Sequence, residues 1–434
     1  MVSLQFEETS TGGGGVHVEK ICEQFLKSNH LVTLVSIHTE KSIDRSALEN
    51  WYVPLSIEKR DNLTVVRLLI DEGIPHPYYG EKSVELNRIE RFARAAIHWI
   101  NENNEFDVIN LHGHHIIPGM MARELKGIGA RIVSTVHALE TTYMMKKGEF
   151  VGSFRPTASI INKIKKWEAM SSNADFIVLN SPTVRDDFIK ILKKQAVEIK
   201  SIEPKIRLIS SGCNENFLMD DEEIQNKMKS AAEKVNVVTF CRLDPSKGIE
   251  FSIQGMKIAS LISKKSFEYT VAGIPSSDEY LNKIKNQMDD LDNNLKIRLK
   301  VFNSISTTEE KKELLDPSHI YILPTLKEPF GMSIIEASAR GNIIIATDNT
   351  GPRYMMRDDK EQIFDWGKVT RYGILVNISE NFQKDLPSNI GKAVVWATEN
   401  WERCTSNILN FNRKIRQLWT WEGISKQYLK LFSE

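Results

Sequence analysis

Short apolar runs alternate with helical stretches along nearly the whole chain, and this alternation stops once and starts again. VSLQF, residues 2 to 6, reads as a buried strand, TSTGGGG as a glycine turn, VHVEKICEQFLKSN as a helix and LVTLVSI as the next strand. Val16, Ile21, Phe25 and Leu26 give that helix one apolar face. The pattern continues through LTVVRLLI, IERFARAAIHWINEN, FDVINLH, PGMMARELKG, RIVSTVH, INKIKKWEAMSSN, DFIVLNS, VRDDFIKILKKQ and KIRLISSG. Strands that alternate with helices predict a parallel sheet covered on both faces. The polar stretch MDDEEIQNKMKSAAEKV then reads as a connection outside either core. The alternation restarts with NVVTFCRLD, IEFSIQGMKIASLI, SFEYTVAG, EYLNKIKNQMDDL, LKIRLKVF, HIYILPT, GMSIIEASARG, NIIIAT and GILVN. Two consecutive α/β domains are therefore expected, over 1–215 and 216–412. An aromatic amphipathic helix pair over about 413–434 closes the chain.

The 434 residues suffice for two or three domains. Lys plus Arg and Asp plus Glu number 57 each, so no basic surplus points to nucleic acid as the main partner. Cys22, Cys213, Cys241 and Cys404 are widely spaced and read as reduced thiols of a cytoplasmic protein. MVSLQFEETS lacks the basic and apolar regions of a signal peptide, and no apolar run approaches the ~18 residues of a membrane span. The Lys163, Lys165, Lys166 and Lys190, Lys193, Lys194 runs read as solvated helix faces, with docking on an anionic membrane as the alternative.

Three segments invite a chemical reading. Gly13, Gly14 and Gly15 lie at the first strand-to-helix junction, where a backbone without side chains can approach a ligand. A dinucleotide fingerprint counted from Gly12 fails, because its third glycine position is His17. A plain surface turn is the alternative. Arg242 and Lys247 occupy the loop after the first strand of the second domain, and a planar fork beside a mobile point charge suits a diphosphate. Two solvated surface cations are the alternative. In LPTLKEPFGMSIIEASARG, Glu328 sits on the turn between a strand and a helix, and the amides of Phe330, Gly331 and Met332 open that helix. Carboxylates for hydroxyls and amides for phosphate oxygens together suit a sugar nucleotide. Ser333 and Glu336 also have the spacing of a capping box, so Glu336 has two readings: helix cap or ligand holder.

FCRLDPSKG, PTLKEPFGMSIIEASARG, TDNTGP and WTWEGISKQYLKLF resemble the retaining GT-B glycosyltransferases of glycosyltransferase family 4, which include sucrose-phosphate synthases. TGGGGVHVEKICEQFL, FDVINLHGHH, STVHALE and DFIVLNSPTVRDDF resemble the first-domain counterparts. The resemblance implies two Rossmann-like α/β/α domains facing across a cleft, with a C-terminal helix crossing back to the first domain near Trp419 and Trp421. It implies transfer of a hexosyl group from a nucleotide-diphospho-sugar to a hydroxyl acceptor: a small sugar, aminocyclitol, sugar phosphate, or cell-envelope glycan or lipid. A UDP-sugar is the first expectation for the donor, with GDP- and ADP-sugars as alternatives, and neither cofactor nor metal is required.

The resemblance also assigns roles. Arg242 and Lys247 would bind the diphosphate, Glu328 the donor-sugar hydroxyls and Glu336 the ribose. Phe330, Gly331, Met332 and Ser333 would lie along the donor phosphates, His137 would face the reacting sugar, and Gly13 to Gly15 would line the opposite wall. On its residues alone, His137 reads rather as a satisfied histidine at a strand end. His112 or His114 would touch acceptor or donor. A metal on His112, His114 and His115 is disfavoured, because no carboxylate or cysteine stands at ligand spacing. The segment SSGCNENF departs from the family pattern, with Asn214 where an acid is usual. Three rival readings share the features: a phosphorylase on the same fold, a non-catalytic sugar-nucleotide-binding subunit, and a Rossmann oxidoreductase.

Overall fold

A computed structural model describes residues 1–7, 10, 12–38, 54–70, 82–113, 116–141, 145–146, 149–150, 157–229, 234–288, 294–302 and 307–434. The chain divides into two compact units, Met1–Ser211 with Trp421–Glu434, and Gly212–Thr420. The C-terminal segment thus returns to the first unit. It does so after Thr420, not at about 413, because Trp401–Leu418 is a helix of the second unit.

The first unit is built on strands β1 (Val32–His38), β2 (Ser56–Arg60), β3 (Leu63–Leu69), β4 (Val108–Gly113), β5 (Arg131–Val136), β6 (Phe176–Leu179) and β7 (Ile206–Leu208). β1 pairs with β3 in parallel, and β4, β5, β6 and β7 form a second parallel run. The charged strand β2 closes the first run antiparallel to β3, an edge role that the parallel expectation missed.

Residues 2 to 6 are not a full strand. Val2 alone bridges Val35 of β1 and Leu111 of β4, joining the two runs. Ser3 then turns the chain, its hydroxyl donating to the Gln5 carbonyl and accepting from the Gln5 N–H. The four glycines likewise form no separate turn: helix α1 (Gly13–Lys27) begins inside them, with Gly12 at its N-cap. Helices α2 (Lys82–Glu102), α3 (Ala158–Met170) and α4 (Pro182–Lys194) cover the sheet. α4 starts where sequence rules place a start, with Ser181 accepting from the Val184 N–H, Pro182 in the first turn and Lys193 and Lys194 in the last. PGMMARELKG opens in the end of a fully buried π-helical stretch, Ile116–Met121, followed by one short α-turn, Ala122–Glu124.

In the second unit the strands are β8 (Lys234–Phe240), β9 (Ser266–Gly273), β10 (Leu295–Val301), β11 (Ile320–Leu323), β12 (Ile343–Thr347), β13 (Gln362–Phe364), β14 (Gly367–Thr370) and β15 (Gly373–Val376). Their order is β10-β9-β8-β11-β12-β15-β14-β13, parallel except for the last two, which add an antiparallel edge. The stretch read as a polar connection holds helix α5 (Asp221–Lys229), whose Ile224 and Met228 are buried one turn apart. Lys227 is enclosed too, donating to the carbonyls of Leu315 and Arg340, and burial lowers its amine to about 7. Two apolar residues among seven polar ones make too faint a period to notice. The remaining helices are α6 (Ile249–Ile262), α7 (Asp278–Met288), α8 (Thr308–Leu315), α9 (Met332–Ala339), α10 (Thr350–Met356), α11 (Phe382–Glu399) and α12 (Trp401–Leu418); α13 (Trp421–Ser433) belongs to the first unit.

The four cysteines are free thiols. Burial pushes Cys22 up to about 11 and Cys213, Cys241 and Cys404 up to about 12, so none is a ready nucleophile. Among the described residues, no helix is long and apolar enough to cross a membrane.

Candidate active site residues

In the second unit the site begins where β8 ends. Arg242 is exposed on the following loop. Asp244 caps a single turn, Pro245–Lys247, by accepting from the Ser246 N–H (2.9 Å) and hydroxyl (2.5 Å). Burial pushes the Asp244 carboxyl up, but Arg242, both Ser246 bonds and Lys247 together hold it below its ordinary value. Gly248 ends the turn at φ 63°, where a Cβ would stand 2.5 Å from the Pro324 carbonyl oxygen. A left-handed residue with no side chain is needed there. The turn brings the Lys247 ammonium to Glu328 Oε2, 2.5 Å away, with both side chains only 13% exposed.

The loop after β11 is fixed from two sides. Its Leu326 N–H donates to the Ser246 carbonyl (2.9 Å), which joins it to the Lys247 turn. On the other side the Glu328 N–H donates to Thr350 Oγ1 (3.0 Å), and the Gly351 N–H donates to the Glu328 carbonyl (2.8 Å). The Glu328 backbone is thus clamped before its side chain meets any ligand. Gly331 then adopts φ 110° and α9 starts at Met332. The first amides of a helix have no intrahelical acceptor, so Met332 and Ser333 present N–H groups at this point.

Two expectations change here. Ser333 does not cap α9: the N-cap is Gly331, without a side-chain bond, and the Ser333 hydroxyl serves Tyr321. Glu336 does not complete a capping box. Its Oε1 accepts from Lys311 Nζ on α8 at 2.6 Å, in a pair 15% and 13% exposed. Lys311 carried no sequence signal. Thr350 and Gly351 had one, the TDNTGP segment, but no role had been attached to them.

In the first unit His137 follows β5. Its N–H donates to the Gly113 carbonyl (3.1 Å), and its carbonyl accepts from the Asn180 side chain (2.6 Å). A Cβ on Gly14 would lie 3.7 Å from the His137 ring, which places the glycine start of α1 beside it. Gly15 is buried, its N–H donating to Gln5 Oε1 (3.1 Å), while Gly13 is exposed.

Behind His137 lie two more histidines. His112 stacks on it at 5.5 Å, and His17 meets it edge-on at 4.8 Å. His112 is fully buried, and neither ring nitrogen has a hydrogen-bond partner among the described residues. Burial, with its histidine neighbours, holds it neutral, well below the usual histidine range. It packs directly against His137. His114 and His115 lie outside the described residues. The sequence gives His17 no role beyond breaking the glycine fingerprint. Its Nδ1 pairs with Ser211 Oγ (3.0 Å), its Nε2 with Tyr428 OH of α13 (3.2 Å), and Trp421 packs edge-on at 5.4 Å. Trp419, on the other side of the crossing, packs in the second unit against Phe330 at 5.8 Å.

Comparison with known proteins gives this arrangement its context. Residues 11–204 match the family model "Glycosyltransferase Family 4", and residues 220–367 match "Glycosyl transferases group 1". The chain is a family 4, group 1 glycosyltransferase. A probable sucrose-phosphate synthase of Thermosipho melanesiensis is 28% identical over 99% of this chain and 92% of its own length. Among solved structures, a sucrose-phosphate synthase from Thermosynechococcus elongatus superposes with TM-score 0.69 at 17% identity, covering 100% of this chain and 97% of that one. The Anabaena protein HepE, solved with UDP-glucose, gives 0.64 at 14% identity over 100% and 99%. These structures establish the GT-B fold of this glycosyltransferase. Lys247, Glu328 and Glu336 all fall within the group 1 match.

Proposed function

We propose that this glycosyltransferase moves a hexosyl group from a nucleotide-diphospho-sugar to a hydroxyl of a sugar phosphate, with retention at the anomeric carbon. The observation that carries the reading is the Lys247–Glu328 pair, held within 2.5 Å on two interlocked strand-end loops at the start of α9. In open α/β sheets ligands bind at the carboxyl ends of strands. Lys247, the exposed Arg242 and the α9 amides supply positive charge and N–H donors for a diphosphate. Glu328 supplies a carboxylate for donor-sugar hydroxyls, and Glu336 one for the ribose.

In this reading the chemistry is mainly electrostatic. The bond from the anomeric carbon to the diphosphate oxygen breaks, charge grows on the leaving phosphate, and Lys247 and Arg242 stabilise it. The acceptor hydroxyl attacks from the face the diphosphate leaves, and its proton passes to the departing phosphate oxygen. No side chain needs to act as nucleophile. His137 is assigned to a hydroxyl of the reacting sugar, and Gly13 to Gly15 to the ligand-facing backbone of the first unit. The cations and amides of the chain perform the charge stabilisation, so the proposed reaction uses neither metal nor prosthetic group.

The names of the relatives support a sugar phosphate as acceptor, and the UDP-glucose in HepE supports a UDP-sugar as first donor to try. The test is a thermal-shift panel of UDP-, GDP- and ADP-glucose, followed by nucleotide release from the stabilising donor with a series of hexose phosphates. One donor should raise the melting temperature, and release should depend on a hexose phosphate. No shift with any donor would refute the reading.

A further inference from the structure

We propose that Lys311 is a positioning residue for the nucleotide donor, holding the Glu336 carboxylate in the orientation that receives the ribose hydroxyls. The inference rests on the donor-site reading of the second unit. Lys311 projects from the first turns of α8, a helix whose start is fixed by a complete capping box: Thr307 accepts from the Glu310 N–H and Glu310 from the Thr307 N–H. The Lys311 N–H closes the turn on the Thr307 carbonyl (3.1 Å). The lysine therefore extends from a rigid base.

Among the described residues its ammonium engages Glu336 Oε1 alone, at 2.6 Å. Among the described residues no donor reaches Oε2, which leaves that oxygen for a ligand hydroxyl. The same design recurs at Glu328, where Lys247 takes Oε2 at 2.5 Å. Each glutamate assigned to the donor is thus held by one lysine from a different element. Both pairs are mostly withdrawn from water, and such pairs are weak sources of net stability because desolvation offsets their attraction. A ligand role explains the two pairs better. A bare Glu336 carboxylate close to a diphosphate would repel it, and the Lys311 ammonium cancels that charge while leaving an acceptor oxygen in place.

The experiment compares the full chain with K311M and K311R. Calorimetry measures the binding of UDP and of 2′,3′-dideoxy-UDP, and steady-state kinetics with UDP-glucose separates KM from kcat. K311M should weaken UDP about tenfold or more and raise donor KM to match, with kcat within about threefold. K311R should recover most of the affinity. Removing the ribose hydroxyls should weaken wild type about tenfold but weaken K311M hardly further, because the same bonds are already lost. A purely structural lysine gives additive losses, and that outcome, or unchanged UDP affinity in K311M, overturns the proposal while leaving the donor-site reading intact. If wild type binds neither UDP nor the GDP and ADP controls, the donor-site reading fails and the proposal fails with it.

Discussion

Replacing Lys247 by alanine removes the ammonium that stands 2.5 Å from Glu328 in a position where both side chains are 13% exposed. Two losses follow. Glu328 keeps its charge but loses its partner, so the carboxylate that should greet sugar hydroxyls becomes mobile. The leaving diphosphate also loses a preorganised cation. A hydrogen bond to a charged group is worth about 1.5–3 kcal/mol, and removal of one donor aimed at developing charge costs about 2.7–4 kcal/mol. At about 1.4 kcal/mol per factor of ten, K247A should lower kcat by roughly 10²–10³. The fold should survive, because the turn itself is held by Asp244, Ser246 and Leu326 and not by the lysine side chain. The assay is nucleotide release from the donor that stabilises the wild type, run beside thermal unfolding of each variant. E328A should fall by a similar factor, and the K247A/E328A double variant should fall by much less than the product of the two. Turnover within about fivefold of wild type in a folded K247A would refute the assignment.

Three further outcomes test the framework around the site. Gly331→Ala forces a side chain onto a residue at φ 110°, with its Cβ 2.9 Å from Met355 Cε, and should destabilise the protein by about 1–3 kcal/mol in urea unfolding while weakening donor binding. Trp421→Ala removes a ring 3% exposed that packs on His17, and should cost about 3–5 kcal/mol, seen as faster amide exchange across Trp421–Ser433. Burial lowers His17 to about 3, against about 6.5 unfolded, so between these values the unfolded chain takes up a proton that the folded chain does not. Stability should be intact above about pH 6.5 and decline as the pH falls, by up to about 1.4 kcal/mol per unit for this group; H17Q should show a shallower decline in urea midpoints between pH 7 and pH 5, and an unchanged slope would contradict it.

The architecture was legible because its signal is long-range and redundant. Most buried strands are short apolar runs, and a helix such as α4 carries its own cap and charge bias. What failed was local. Val2–Phe6 looks like a strand, yet only Val2 pairs, because Ser3 and Gln5 prefer a turn bond to the ladder. α5 hid its two apolar residues among charges. α11 and all but the last turns of α12 went unread because the sheet pattern had ended before them. At the site, Glu328, Lys247 and Gly331 were legible because proline, glycine and charge cluster at two strand ends. Glu336 was legible as a carboxylate but not as half of an ion pair, since Lys311 lies 25 residues away on another helix and looks like any surface lysine. His17 was hidden for the same reason: its partners Ser211 and Tyr428 are 194 and 411 residues distant.

The central claim is retaining transfer from a nucleotide-diphospho-sugar to a sugar phosphate. Proton NMR of the first product, recorded on a mixture of enzyme, UDP-glucose and the hexose phosphate that supports nucleotide release, tests it directly. The account predicts a phosphorylated disaccharide whose new anomeric proton has the α-configuration of the donor. A β-linked first product, or consumption of donor with no glycoside formed, would contradict it.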